Sequence, residues 1–95
     1  MLRYAFSDDA VTDLDAIDAY LTERDSDAAV RVLTSIIAAI ERACLFPDAA
    51  PLVDEPGEIL GTRKLIETQY RYVLYYRVID QTLLVLRVFH GAQRR

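Results

Sequence analysis

The sequence predicts an α+β domain: an N-terminal strand, an αα-hairpin, then a three-stranded antiparallel meander, with the two helices packed on one face of the sheet. Three observations carry this prediction. Residues 8–45 repeat apolar side chains at helical intervals of three and four, whereas residues 62–90 are rich in β-branched and aromatic residues and lack proline. Between them, "PDAAPLVDEPGEIL" (47–60) holds all three prolines of the chain, shows no sustained period, and reads as a loop. The 95 residues are enough for one domain, 1–95, and 53% hydrophobic content is enough for one core.

"LRYAF" (2–6) is a short apolar run with aromatic content, and Ser7 follows as a helix cap with Asp8 and Asp9 suited to the positive end of the helix dipole. In the helix that follows, Ala10, Leu14, Ile17 and Leu21 form the inward stripe, widened by Val11 and Tyr20. Asp9, Asp13, Asp15, Asp18 and Glu23 fill the remainder. "TERDSDAA" then breaks the pattern with residues that favour caps and turns, so a second helix starts at Asp25 or Ser26. Its inward set is Ala29, Leu33, Ile36, Ile37, Ile40 and Cys44, and Pro47 stops it because proline has no amide hydrogen.

Beyond Gly61, "TRKLIE", "YRYVLYYRVI" and "TLLVLRVFH" read as three strands. A two-residue turn at Asp80-Gln81 would pair Ile79 with Thr82, Arg77 with Leu84, Tyr75 with Leu86, Val73 with Val88 and Arg71 with His90. One face of that hairpin then carries Tyr72, Leu74, Tyr76, Val78, Leu83, Val85 and Phe89 with a single charge, Arg87, and is expected to receive the helices. The opposite face gathers Arg71, Arg77 and His90 around Val73, Tyr75, Leu86 and Val88, and is expected to meet a partner.

Charge is divided along the chain. Residues 1–60 hold thirteen acids against four basic residues, a charge of −9, while residues 61–95 hold seven basic residues against two acids, a charge of +5. This places acidity on the solvent side of the helices and basicity on the sheet, where arginine can grip carboxylates of a partner. The tyrosines read as packing residues, and the acidic whole does not suit direct DNA binding by this chain alone. No secretory signal is visible, and the longest apolar run, Ile36–Ile40, is far too short to span a bilayer, which gives a cytoplasmic address and no membrane partner. The single cysteine, Cys44, reads as a buried helix residue, and with one histidine in the chain nothing implies a metal, nucleotide or redox cofactor.

The run "A..DL..I..YL" from Ala10 to Leu21, "LFP" at 45–47, "RKL" at 63–65, "YRYVLYYRV" at 70–78 and "LLVLRVFHG" at 83–91 together resemble the ParE branch of the RelE/ParE toxin superfamily, over nearly the whole chain. The resemblance implies a type II toxin neutralised by a ribbon-helix-helix, ParD-like antitoxin. It further implies either poisoning of DNA gyrase, as in the ParE branch, or ribosome-dependent cleavage of messenger RNA, as in the RelE branch. Cleavage would call on His90 as general acid or base with Lys64 and Arg71 as cations, since RNA cleavage needs a proton acceptor and positive charge on the phosphate. The nuclease pattern is incomplete here: its mid-strand arginine falls on Val73, and Arg95 is reached without a tail tyrosine. His90 as a strand-end residue bonded to backbone or solvent is the plainer reading. The expected partner surface comprises Arg63, Lys64, Arg71, Val73, Tyr75, Arg77, Leu86, Val88, His90, Arg94 and Arg95.

Overall fold

The computed structural model describes residues 1–53 and 59–92. The order is β1 (Arg3–Phe6), α1 (Asp8–Arg24), α2 (Ser26–Leu45), β2 (Arg63–Glu67), β3 (Tyr72–Ile79) and β4 (Thr82–His90). The α+β layout read from the sequence is the one observed. The sheet runs β1-β4-β3-β2, with β4, β3 and β2 antiparallel and β1 added parallel to β4, so the sheet as a whole is mixed.

Ser7 caps α1 as its sequence position predicts: its hydroxyl accepts from the Ala10 N–H at 3.1 Å and donates to the Leu86 carbonyl at 2.9 Å. One residue, Asp25, serves both helices. Its N–H closes α1 on the Leu21 carbonyl, and its carboxylate accepts from Asp27 and Ala28 to open α2. The two helices therefore meet at a single residue, which fixes them as an antiparallel pair on one sheet face.

The core lies between that pair and the sheet. Helix α2 supplies Val32, Ile36, Ile40, Ala43 and Cys44, and the strands supply Tyr72, Leu74, Tyr76, Leu83, Val85 and Val88. Each fully buried Leu, Ile or Val contributes about 1.5–3 kcal/mol. Helix α1 is more peripheral: Ala10 alone is fully buried, while Leu14, Ile17 and Leu21 pack against the cluster from its edge. Val11 and Tyr20, expected to widen the inward stripe, lie exposed because the hairpin partner of α1 is α2 and no second layer covers its flank. Burial pushes the Cys44 thiol above its ordinary pKa, with Glu41 adding to the effect.

The β3–β4 register departs from the sequence expectation halfway along. Near the turn, Ile79 pairs with Thr82 and Arg77 with Leu84, as expected. Asp80 and Gln81 hold φ of 48° and 69°, the left-handed pair that a two-residue hairpin turn with matching twist requires. After Tyr76↔Val85 the register slips by one: Tyr75 faces Arg87, Leu74 faces Val88, Val73 faces Phe89 and Tyr72 faces His90. Leu86 is the extra residue of a β-bulge.

Candidate functional site

The bulge redistributes the predicted partner surface, because one inserted residue exchanges the faces of the side chains from Val88 to His90. Val88 and His90, expected on the outward face, turn toward the helices: Val88 joins the core, and His90 stacks edge-on against Tyr72 at 5.1 Å between ring centroids. Phe89, expected to face the helices, turns outward against Tyr75, with centroids 5.6 Å apart. Leu86 gives its carbonyl to Ser7 and marks the bulge. Arg71 does not pair with His90. It sits in the turn before β3 with φ of 66°, and its carbonyl accepts from the Gly91 N–H at 2.7 Å. A Cβ at Gly91 would lie 2.9 Å from that carbonyl oxygen, so only glycine permits the closure.

Of the remaining predicted residues, Lys64, Val73, Tyr75 and Arg77 do share the outward face, where Lys64 lies opposite Tyr75 across the β2–β3 ladder. Phe89 and Ile66 complete this surface, and no acidic side chain stands among the strand residues that point outward. Arg63 points the other way. Its guanidinium donates to the Ala50 and Asp48 carbonyls at 2.7 and 3.2 Å and lies 3.5 Å from the Asp48 carboxylate, so it clasps the loop that follows α2. Tyr76 supports the same loop by donating its hydroxyl to the Pro47 carbonyl at 2.6 Å, and burial pushes that phenol above its ordinary pKa. Arg94 and Arg95 lie outside the described residues.

On the helix side, an open groove of about 970 Å³ runs between α1 and the last half of β4, with Ile17, Tyr20, Leu21, Tyr72 and His90 along its walls. Its base is an ion pair that the sequence did not reveal. Asp13 receives Arg87 Nε at 2.8 Å and a second guanidinium nitrogen at 3.0 Å, and also accepts from the Val88 N–H at 2.8 Å. The three bonds fasten α1 to the strand immediately after the bulge. At the groove's edge the His90 Nδ1 accepts from the Ala92 N–H at 3.1 Å.

A second buried carboxylate organises the opposite side. Glu67, 2% exposed, accepts from the Ser35 hydroxyl at 2.6 Å and from the backbone N–H groups of Gln69, Tyr70 and Tyr72. Burial alone would raise its carboxyl, but the bonds from Ser35, Tyr70, Tyr72 and Gln69 outweigh it and hold the group below its ordinary value. Glu67 thereby shapes the turn that carries Arg71. Burial, with the Glu67 charge nearby, pushes the neighbouring Tyr72 phenol up. No group of three His, Cys, Asp or Glu converges as a metal site among the described residues, and no helix there is long and apolar enough to cross a membrane.

Known proteins resemble this chain over almost its full length. The family model for the ParE toxin of the type II toxin-antitoxin system, parDE, matches residues 4–95. Y4kP of Sinorhizobium fredii (strain NBRC 101917 / NGR234), named as a candidate toxin, is 34% identical over 85 residues, 90% of this chain and 83% of its own. Among solved structures, a chain of the chromosomal ParDE TA system from P. aeruginosa superposes with a TM-score of 0.73 at 21% identity, covering 95% of this chain and 96% of that one. The isolated E. coli RelE toxin superposes with a TM-score of 0.59 at 16% identity, covering 100% and 89%. The two structures share the fold, and the matched family model together with the Sinorhizobium relative establishes the lineage: this chain belongs to the ParE toxin family of type II toxin-antitoxin systems.

Proposed function

We propose that this toxin inhibits growth by binding, with DNA gyrase as its target, and that it is neutralised by a ribbon-helix-helix antitoxin of the ParD type. The observation that carries binding over catalysis is the separation of the candidate nuclease residues. His90 faces the α1 groove, Lys64 lies on the outward sheet face, and Arg71 sits in a turn. A sheet stands between the imidazole and the ammonium, so the two do not converge on one phosphate as cleavage requires. The match to the ParE family model supports the same reading. The outward face, mixing Lys64 and Arg77 with Val73, Tyr75 and Phe89, suits a partner segment of acidic and apolar residues.

The test is induction of the chain alone in bacteria, following growth, plasmid supercoiling and message integrity together, for wild type, His90→Ala and Lys64→Ala. Growth arrest with altered supercoiling or double-strand breaks, intact messages and toxicity retained in His90→Ala is the expected result. Rapid message cleavage abolished by His90→Ala would replace this reading with a ribosome-dependent endoribonuclease.

A further inference from the structure

The groove between α1 and the last half of β4 contains a polar group for which the protein supplies no partner. Tyr72 is 8% exposed and forms part of the wall. Its backbone N–H donates to Glu67 at 3.4 Å, but no hydrogen bond reaches its hydroxyl among the described residues. The hydroxyl is not sealed in the core: among the described residues, the fully enclosed side-chain polar atom without a partner is Thr62 Oγ1. The Tyr72 hydroxyl therefore opens onto the groove. A buried phenol ordinarily finds a hydrogen-bond partner, and burial with the Glu67 charge nearby pushes this one above its ordinary pKa, so it stays protonated and able to donate.

Around that hydroxyl the groove is aromatic and apolar. The His90 ring meets Tyr72 edge-on at 5.1 Å, and Ala16, Ile17, Tyr20 and Leu21 form the helix side. Tyr20 is held in place by Arg24, which lies over its ring at 3.6 Å from the centroid and donates to its carbonyl at 2.9 Å. The volume, about 970 Å³, falls within the roughly 300–1,000 Å³ of small-molecule sites. Charge narrows the ligand. At the base, Asp13 and Arg87 cancel, and the guanidinium is the more open member, 40% exposed against 15%. A cation in the groove meets that guanidinium, whereas an anion must pass α1, which carries six acids and one basic residue. An uncharged ligand is opposed by neither. We propose that this groove binds an uncharged aromatic small molecule bearing a carbonyl group, its ring against Tyr20 and His90 and its carbonyl accepting from the Tyr72 hydroxyl. Aromatic rings pack edge to face with such walls, and a carbonyl is the neutral acceptor that a phenol donor pairs with. This site is independent of gyrase and of the antitoxin. Its ligand lies against the strand end that Asp13 fastens, so occupancy ties α1 to β4 a second time.

The experiment titrates the isotopically labelled full chain, followed by amide NMR, with nicotinamide as the uncharged probe, nicotinate as its anionic counterpart, the N-methylpyridinium form of nicotinamide as its cationic counterpart, and acetamide, which keeps the carbonyl without the ring. Expected are saturable shifts at Ile17, Leu21 and His90 with nicotinamide, binding of both charged analogues weaker by about tenfold, and no saturable shift with acetamide. Tyr72→Phe keeps the ring and should weaken nicotinamide about fivefold, the loss of one hydrogen bond. Ala16→Trp, at an exposed helix position on the groove wall, should abolish binding by filling the space. Absence of a saturable nicotinamide shift at these residues overturns the site. Equal binding of either charged analogue or of acetamide overturns the ligand class, and unchanged affinity in Tyr72→Phe overturns the role of the hydroxyl. Should Tyr72→Phe fail to fold, Ala16→Trp decides: nicotinamide binding retained in that variant places the probe elsewhere and overturns the site.

Discussion

The two halves of the β3–β4 hairpin, on either side of Leu86, are built from the same kinds of residues yet obey different rules. The half beside the turn follows the register that Asp80-Gln81 imposes, because a two-residue turn dictates its nearest rungs. The half beyond the bulge follows contacts from elsewhere in the chain. Ser7 donates its N–H to the Val85 carbonyl and its hydroxyl to the Leu86 carbonyl, and Asp13 holds Arg87 and the Val88 N–H. The bulge thus lies where the β1–α1 junction crosses the strand, and its hydrogen bonds are satisfied from α1 and its cap. A local signal sets register only until a stronger non-local set of bonds intervenes.

Removing the non-local anchors should damage the far half selectively. The largest effect is expected at Glu67, whose carboxylate satisfies the turn leading into Tyr72, the residue opposite His90. Glu67→Ala should destabilise the fold by about 3 kcal/mol by leaving several buried donors without an acceptor. This carboxyl is held below its ordinary value when folded. Its contribution is therefore complete above the unfolded-state value, about 4.3, and is lost as pH falls through the lower folded value. Denaturant unfolding below about pH 4 should accordingly show a component of acid sensitivity that Glu67→Gln lacks. Equal acid sensitivity in the two proteins would refute the assignment.

An intermediate effect is expected for Asp13→Ala, about 2 kcal/mol, since it strands the Val88 N–H and releases Arg87. The more telling measurement is amide exchange: protection should fall from Arg87 to His90 and persist from Tyr76 to Ile79. Uniform loss along the hairpin would mean that the two halves are not separately held. The smallest effect, and the only stabilising one, belongs to the near half. Gln81 holds φ of 69° without being glycine. Gln81→Gly should raise stability by about 0.5 kcal/mol by relieving left-handed strain, less the entropy glycine loses on folding. A decrease in melting temperature would show that the Gln81 side chain stabilises the turn in some other way.

How far the candidate site was legible follows the same boundary. Val73, Tyr75 and Arg77 lie before the bulge along a strand with simple alternation, and their shared outward face was readable from period alone, whereas Lys64 joins them only through the β2–β3 register. Val88, Phe89 and His90 lie after it, and each was assigned to the wrong face. No glycine flags Leu86 as the inserted residue, so nothing local announced the slip. Arg87 appeared in sequence as an isolated charge on an apolar face. Its partner Asp13 was one of six acids in α1, indistinguishable from the others until the helix was docked.

The sequence by itself determined the elements: Ser7 and Asp25 as caps, the helical stripes of residues 8–45, the strands beyond Gly61, the Asp80-Gln81 turn and the division of charge between helices and sheet. These depend on neighbours within a few residues, where propensity, period and capping chemistry act. Tertiary structure alone decided the parallel placement of β1 beside β4, the bulge, the Asp13–Arg87 clasp and the separation of His90 from Lys64. Each of these turns on which buried donor meets which acceptor across some 70 or more positions of chain, and a pattern confined to near neighbours carries no information about that choice.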